Sequence, residues 1–196
     1  MNRKAQTILD ATIRLFLGNG AKKTTMDEIA EAAGASKVTV YKYFSDKDTL
    51  YLHAGRQMLA EAAQALRAAP VSDVPLSRKF QAALDAVAAF ADSGRYALCR
   101  ELAAFGSALN AELTAYRETY RDALYALIDE GIAAGYMKPG LDRDMMIYSI
   151  DMGVQYYQQN EAYRLRMRGD STFRSRYMRF FISNVFADDA AVLPKE

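Results

Sequence analysis

The residues best suited to chemistry lie close together near the N-terminus: Lys37, Val38, Thr39, Tyr41, Lys42 and Lys47, within the stretch TTMDEIAEAAGASKVTVYKYFSDK at residues 24–47. If residues 37–44 form a helix, Val40 and Phe44 are four apart and share its inward face. Val38 and Lys42 then project the opposite way, with Thr39 and Tyr41 on the flanks. A methyl-bearing surface, a hydroxyl, a phenol and an ammonium group suit base edges and phosphates in a major groove. Such a surface recognises; it does not break bonds. The chain has one histidine and one cysteine, too few for a zinc site of the common His/Cys types. It has no nucleophile elbow, phosphate loop or HExxH pattern. The GNG at residues 18–20 follows a helical pattern and not a strand, so it reads as a helix stop. No catalytic residue, metal ligand or cofactor is therefore assigned.

The elements that must position this surface can be read from caps and periodicity. Thr25 to Glu28 has the form of a capping box, which predicts a helix start. Ile29, Ala30 and Ala33 recur as a stripe of small apolar side chains that admits a neighbouring helix closely. Gly34 ends that helix in a left-handed turn. Ser36 caps the next after a single intervening residue, the brevity a helix-turn-helix requires. Upstream, Ile8, Ala11, Thr12, Leu15 and Phe16 follow the spacing of an amphipathic helix, which would pack Leu15 and Phe16 against Ile29, Val40 and Phe44. Downstream, Ser45 is read as the cap of a fourth helix that runs to about residue 69, followed by a connector bracketed by Pro70 and Pro75.

Phe16, Gly20, Thr24-Thr25, Ile29-Ala30, Ala33-Gly34, Ser36-Lys37, Thr39, Tyr41, Tyr43-Phe44, Lys47 and Leu50 fall in one register. In that register, residues 5–52 resemble the DNA-binding domain of the TetR (tetracycline-repressor) family of transcriptional regulators. The sequence departs from the family pattern at Ala21, where an aromatic is usual, at Val38, where glycine is common, and at Val40, where leucine is common. Val38 matters most, because a side chain there either reads a base or blocks close approach. The resemblance implies a DNA surface made of Thr24, Thr25, Ser36, Lys37, Val38, Thr39, Tyr41, Lys42, Tyr43 and Lys47. It implies a homodimer through the last two long helices, bound to a near-palindromic operator in double-stranded DNA. It also implies a small-molecule effector held in the second domain, most often releasing a repressor.

The remainder is read as helical throughout, giving an all-α chain: a helix-turn-helix head over 1–46 and an effector-binding and dimerisation domain over 47–196. At 196 residues and 51% hydrophobic, the chain is long enough for both. No apolar run reaches membrane-spanning length, the N-terminus lacks the features of a signal peptide, and a single cysteine allows no internal disulfide, so the expected location is the cytoplasm. Net charge is +1, yet residues 1–50 carry eight basic against six acidic side chains, a small excess that dimerisation doubles. Phe90, Tyr96, Cys99, Tyr116, Tyr120, Met152 and Tyr156 form an apolar set with hydroxyls, of the kind that lines pockets for small amphipathic molecules. For each residue alone, ordinary core packing is the stronger explanation, and only the family resemblance raises a ligand pocket above it. The segment DRDMMIYSIDMGVQYYQQN is apolar on two sides, Ile147, Ile150, Val154 and Tyr157 on one and Met145, Tyr148, Met152 and Tyr156 on the other. The last helix carries Phe173, Tyr177, Phe180, Phe181 and Val185. Asp151, inside an apolar run, needs a partner: an arginine such as Arg176 across an interface, or a cationic ligand. Two other readings stay open: a DNA-binding regulator without a ligand, and an all-α enzyme.

Overall fold

The computed structural model describes residues 2–68, 74, 76–106 and 108–187. Ten helices follow one another among them: α1 (Arg3–Asn19), α2 (Met26–Ala32), α3 (Lys37–Tyr43), α4 (Lys47–Ala68), α5 (Leu76–Asp92), α6 (Arg95–Ala103), α7 (Ala108–Ala133), α8 (Arg143–Gln159), α9 (Glu161–Gly169) and α10 (Ser171–Val185). Among the described residues the one extended pairing is an isolated antiparallel bridge between Met137 and Phe186. No helix among them is long and apolar enough to cross a membrane. The predicted Pro70 and Pro75 connector lies outside the described residues. The chain groups into two compact units, Met1–Ala65 with Ala88–Glu118, and Leu66–Val87 with Thr119–Glu196.

In the first unit, α1 packs on α2 and α3, and α2 on α3. The local reasons are those the sequence contains. Thr25 caps α2 by accepting from the Glu28 amide, while the Glu28 carboxylate accepts from the Thr25 amide at 2.7 Å and from its hydroxyl at 2.9 Å. These bonds hold the Glu28 carboxyl below its ordinary pKa, the Thr25 backbone bond contributing most. Gly34 turns the chain with φ +55°, and Ser36 caps α3 by accepting from the Thr39 amide at 3.1 Å. Ile8, Phe16, Ile29, Val40 and Phe44 are all buried. Leu15 is only half-buried, and Leu9 and Ile13 take core positions beside Phe16 instead. α4 is capped by Asp46, not Ser45: the Asp46 carboxylate accepts from the Thr49 amide at 2.7 Å, the three-residue reach a cap needs. Ser45 serves that cap indirectly, donating to the Asp46 carboxylate at 3.1 Å.

In the second unit the core holds Leu76, Phe80, Leu124, Leu127, Ile128, Met146, Ile147 and Ile150. The segment read as two late helices is three. Asn160 and Asp170 interrupt it, each side chain capping the next helix by accepting an amide three residues on, Tyr163 and Phe173, at 2.8 Å. Arg164 and Arg174 donate to the carbonyls left open where the preceding helices end, at Gln158 (3.1 Å) and Met167 (3.2 Å). Tyr163 of α9 sits within ring contact of Tyr156, Tyr157, Phe173 and Tyr177, so an aromatic cluster ties the three helices together. Within the chain, Asp151 faces Arg121 of α7, Nε to Oδ2 3.7 Å. Burial raises its pKa and Arg121 opposes that rise.

Replacing Thr25 by alanine removes the cap of α2, and the expected loss is about 1 kcal/mol of unfolding free energy, measured by urea denaturation.

Candidate nucleic-acid interface

Helix α3 is fixed from behind. Val40 is fully buried and Phe44 is 2% exposed, and four-residue spacing puts both on the face turned to α1 and α2. What that fixes outward is Val38, 80% exposed, Tyr41, 43% exposed, and Lys42, also exposed.

The expected contact residues differ in how much bonding capacity they keep. Lys37 Nζ donates to the Asp27 carboxylate at 2.9 Å, and this bond raises its pKa. The Thr39 hydroxyl shares a 2.8 Å hydrogen bond with that of Ser36. The Tyr43 hydroxyl accepts from Asn2 Nδ2 at 3.2 Å. Lys47 Nζ donates to the Lys22 carbonyl at 3.0 Å and lies over the Tyr51 ring, 5.6 Å from its centre. Thr25 is exposed and engaged in the capping box. Thr24 is buried, and its hydroxyl donates to the Gly20 carbonyl at 3.0 Å, so its side chain is structural and not part of the exposed surface. Val38, Tyr41 and Lys42 have no hydrogen bond or ion pair through their side chains among the described residues. They form the open part of the surface.

Three positions that sequence reasoning passed over hold the arrangement in place: Asn2 on Tyr43, Lys4 donating to the Gly34 carbonyl at 3.1 Å, and Asp27 on Lys37. The first two join residues 41 and 30 positions apart, and Asp27 reaches across the turn. No local spacing rule covers such separations.

The candidate effector residues divide. In the first unit Phe90 makes edge-on ring contacts with Tyr96 at 5.9 Å and Tyr116 at 5.2 Å. Tyr96 accepts from Arg117 Nη2 at 3.3 Å. The Tyr116 hydroxyl is buried with no hydrogen-bond partner among the described residues, and burial raises its pKa, with smaller contributions from Tyr96 and Cys99. Cys99 is fully buried, its sulfur 3.9 Å from the Gly55 carbonyl oxygen. Burial pushes its pKa up to about 12, against a weaker opposing pull from Arg95. Tyr120 is buried in the second unit. Met152 and Tyr156 are exposed on α8, at 66% and 55%. The last helices thus leave bare the very face of α8, Met145, Tyr148, Met152 and Tyr156, that the sequence marks as its second apolar side.

Residues 8–54 match the family described as bacterial regulatory proteins, tetR family. The HTH-type transcriptional regulator RutR of Escherichia coli (strain K12) is 29% identical over 160 residues, covering 80% of this chain and 74% of RutR. Solved structures share the fold, and two illustrate it. The superantigen PfiT superposes with a TM-score of 0.76 at 17% identity, covering 96% of this chain and 98% of that one. The transcriptional regulator FadR from Bacillus subtilis, solved in complex with stearoyl-CoA, does so with a TM-score of 0.65 at 18% identity, covering 91% and 98%.

A thiol this buried and this weakly acidic is inert. Ellman's reagent at pH 8 is expected to leave native protein unlabelled and to titrate one thiol per chain after denaturation.

Proposed function

We propose that this chain, which belongs to the tetR family of bacterial regulatory proteins, is a cytoplasmic repressor that binds a near-palindromic operator as a homodimer and leaves it when a small molecule occupies the second domain. The observation that carries the reading is the outward face of α3, polar and open at Tyr41 and Lys42 while Val40 and Phe44 are buried behind it. We take residues 1–46 as the reading head and 47–196 as the effector-binding and dimerisation domain. Two copies would present α3 to successive major grooves about 34 Å apart. Lys37, Thr39, Tyr43, Lys47, Thr25 and Ser36 then position the head on the phosphates, and Val38, Tyr41 and Lys42 face base edges.

Dimerisation is assigned to α8 and α10. The row Met145, Tyr148, Met152 and Tyr156 on α8 and Phe180 on α10 are large hydrophobic side chains left exposed in the single chain, which supports a surface that a second copy covers. The effector is assigned to Phe90, Tyr96, Cys99 and Tyr116, supported by the Tyr116 hydroxyl that stands buried without an acceptor. A ligand that prefers one spacing of the two heads shifts the population toward it, and DNA affinity follows by linkage. Met152 and Tyr156 belong with the dimer surface in this assignment, and Tyr120 with the packing of the second unit. RutR is a transcriptional regulator, and no enzymatic role is assigned to this chain.

Selection from random duplex DNA, followed by fluorescence anisotropy, tests the reading: a pseudo-palindromic site should emerge, and retention of non-specific sequences alone would refute it. On that site Lys47→Ala should weaken binding of all sequences and lower the salt slope by about 0.9 for each phosphate that a subunit no longer neutralises. Tyr148→Glu with Met152→Glu should turn a dimer into a folded monomer in sedimentation velocity, because each apolar side chain at the interface becomes a buried charge.

A further inference from the structure

We propose that Val38 reads the 5-methyl group of a thymine, so that each half-site of the operator carries a T·A pair at one fixed position. The inference rests on the DNA-reading role assigned to α3 and adds the identity of a base. Val38 is 80% exposed, the most exposed of the large hydrophobic side chains among the described residues. It stands on a helix that carries Lys37 and Lys42 and no acid, a surface complementary to a polyanion. The polar groups flanking it are already occupied, Lys37 by Asp27 at 2.9 Å and the Thr39 hydroxyl by Ser36 at 2.8 Å. What remains at that point is hydrocarbon.

In the major groove only thymine among the four bases offers a methyl group in return. Cytosine at the same place has only C5–H, with its amino donor next to it, and both purines present N7 acceptors. A valine pressed against any of these would strip water from a polar atom and return no hydrogen bond. Against a thymine methyl it loses nothing polar and buries apolar surface. The side chain is also suited to the task. A β-branched residue in a helix keeps one χ1 rotamer in about 90% of cases, so its two methyl groups are held in place before the DNA arrives. Lys42, four residues on and on the same face, supplies an unengaged ammonium beside the apolar spot.

The test removes one methyl group at a time. In the operator obtained by selection, each thymine is replaced singly by uracil, which keeps Watson–Crick pairing and the O4 acceptor and deletes only the methyl. Binding is measured by anisotropy with the full-length wild type and with Val38→Ala, a substitution that favours the helix. For the wild type, uracil at one symmetry-related position should weaken binding about fourfold per half-site. For Val38→Ala, which keeps only one side-chain carbon, the same replacement should act clearly less than on the wild type, while replacements elsewhere act alike on both proteins. Equal sensitivity of the two proteins at every position, or no sensitive position in the wild type, overturns the assignment of Val38 while leaving the regulator intact. Failure to select any DNA above background overturns the regulator itself, and this inference with it.

Discussion

The outward face of α3 depends on two side chains that it does not display. Val40 and Phe44, four residues apart, bury themselves in the head, and in a helix of seven residues that alone decides which side chains point outward. A short helix has little intrinsic stability in water, so its orientation must come from tertiary contact. α1 supplies that contact, with Phe16 and Ile8 buried in the same core, and its N-terminal Asn2 and Lys4 reach over to α3 and to the turn. The long first helix is the scaffold against which the two short ones are held.

The head is legible in the sequence because its determinants are local. A capping box spans three residues, the left-handed turn needs one glycine, and the inward pair is four apart; all three stand where expected. The failures have separate causes. The cap of α4 is one residue off because Ser45 and Asp46 can both accept, and only the three-dimensional reach to the Thr49 amide selects Asp46. Leu15 follows the helical period but sits at the margin of the buried stripe, where Leu9 and Ile13 fill the core. Thr24, grouped with Thr25 by resemblance, turns inward to Gly20. The division of the C-terminal segment at Asn160 and Asp170 is hidden because each break is marked by a single capping side chain and no proline.

The second unit shows how one helix can serve two purposes. On α8, Met146, Ile147 and Ile150 are buried while Met145, Tyr148 and Met152 are bare. The sequence announces both apolar faces but not which of them the chain itself covers. Asp151 lies between them, half-buried beside Arg121. A carboxylate in that position tolerates the core only because a cation of the same unit meets it.

The ion pair between Asp27 and Lys37 has a consequence for how the head would bind DNA. A phosphate that takes over this ammonium still gives up its own condensed cation, but the Asp27 carboxylate left behind attracts a cation in turn, so the net release is smaller than at an unpaired lysine. Binding at that lysine becomes an exchange between two anions of similar strength, one tethered and one visiting.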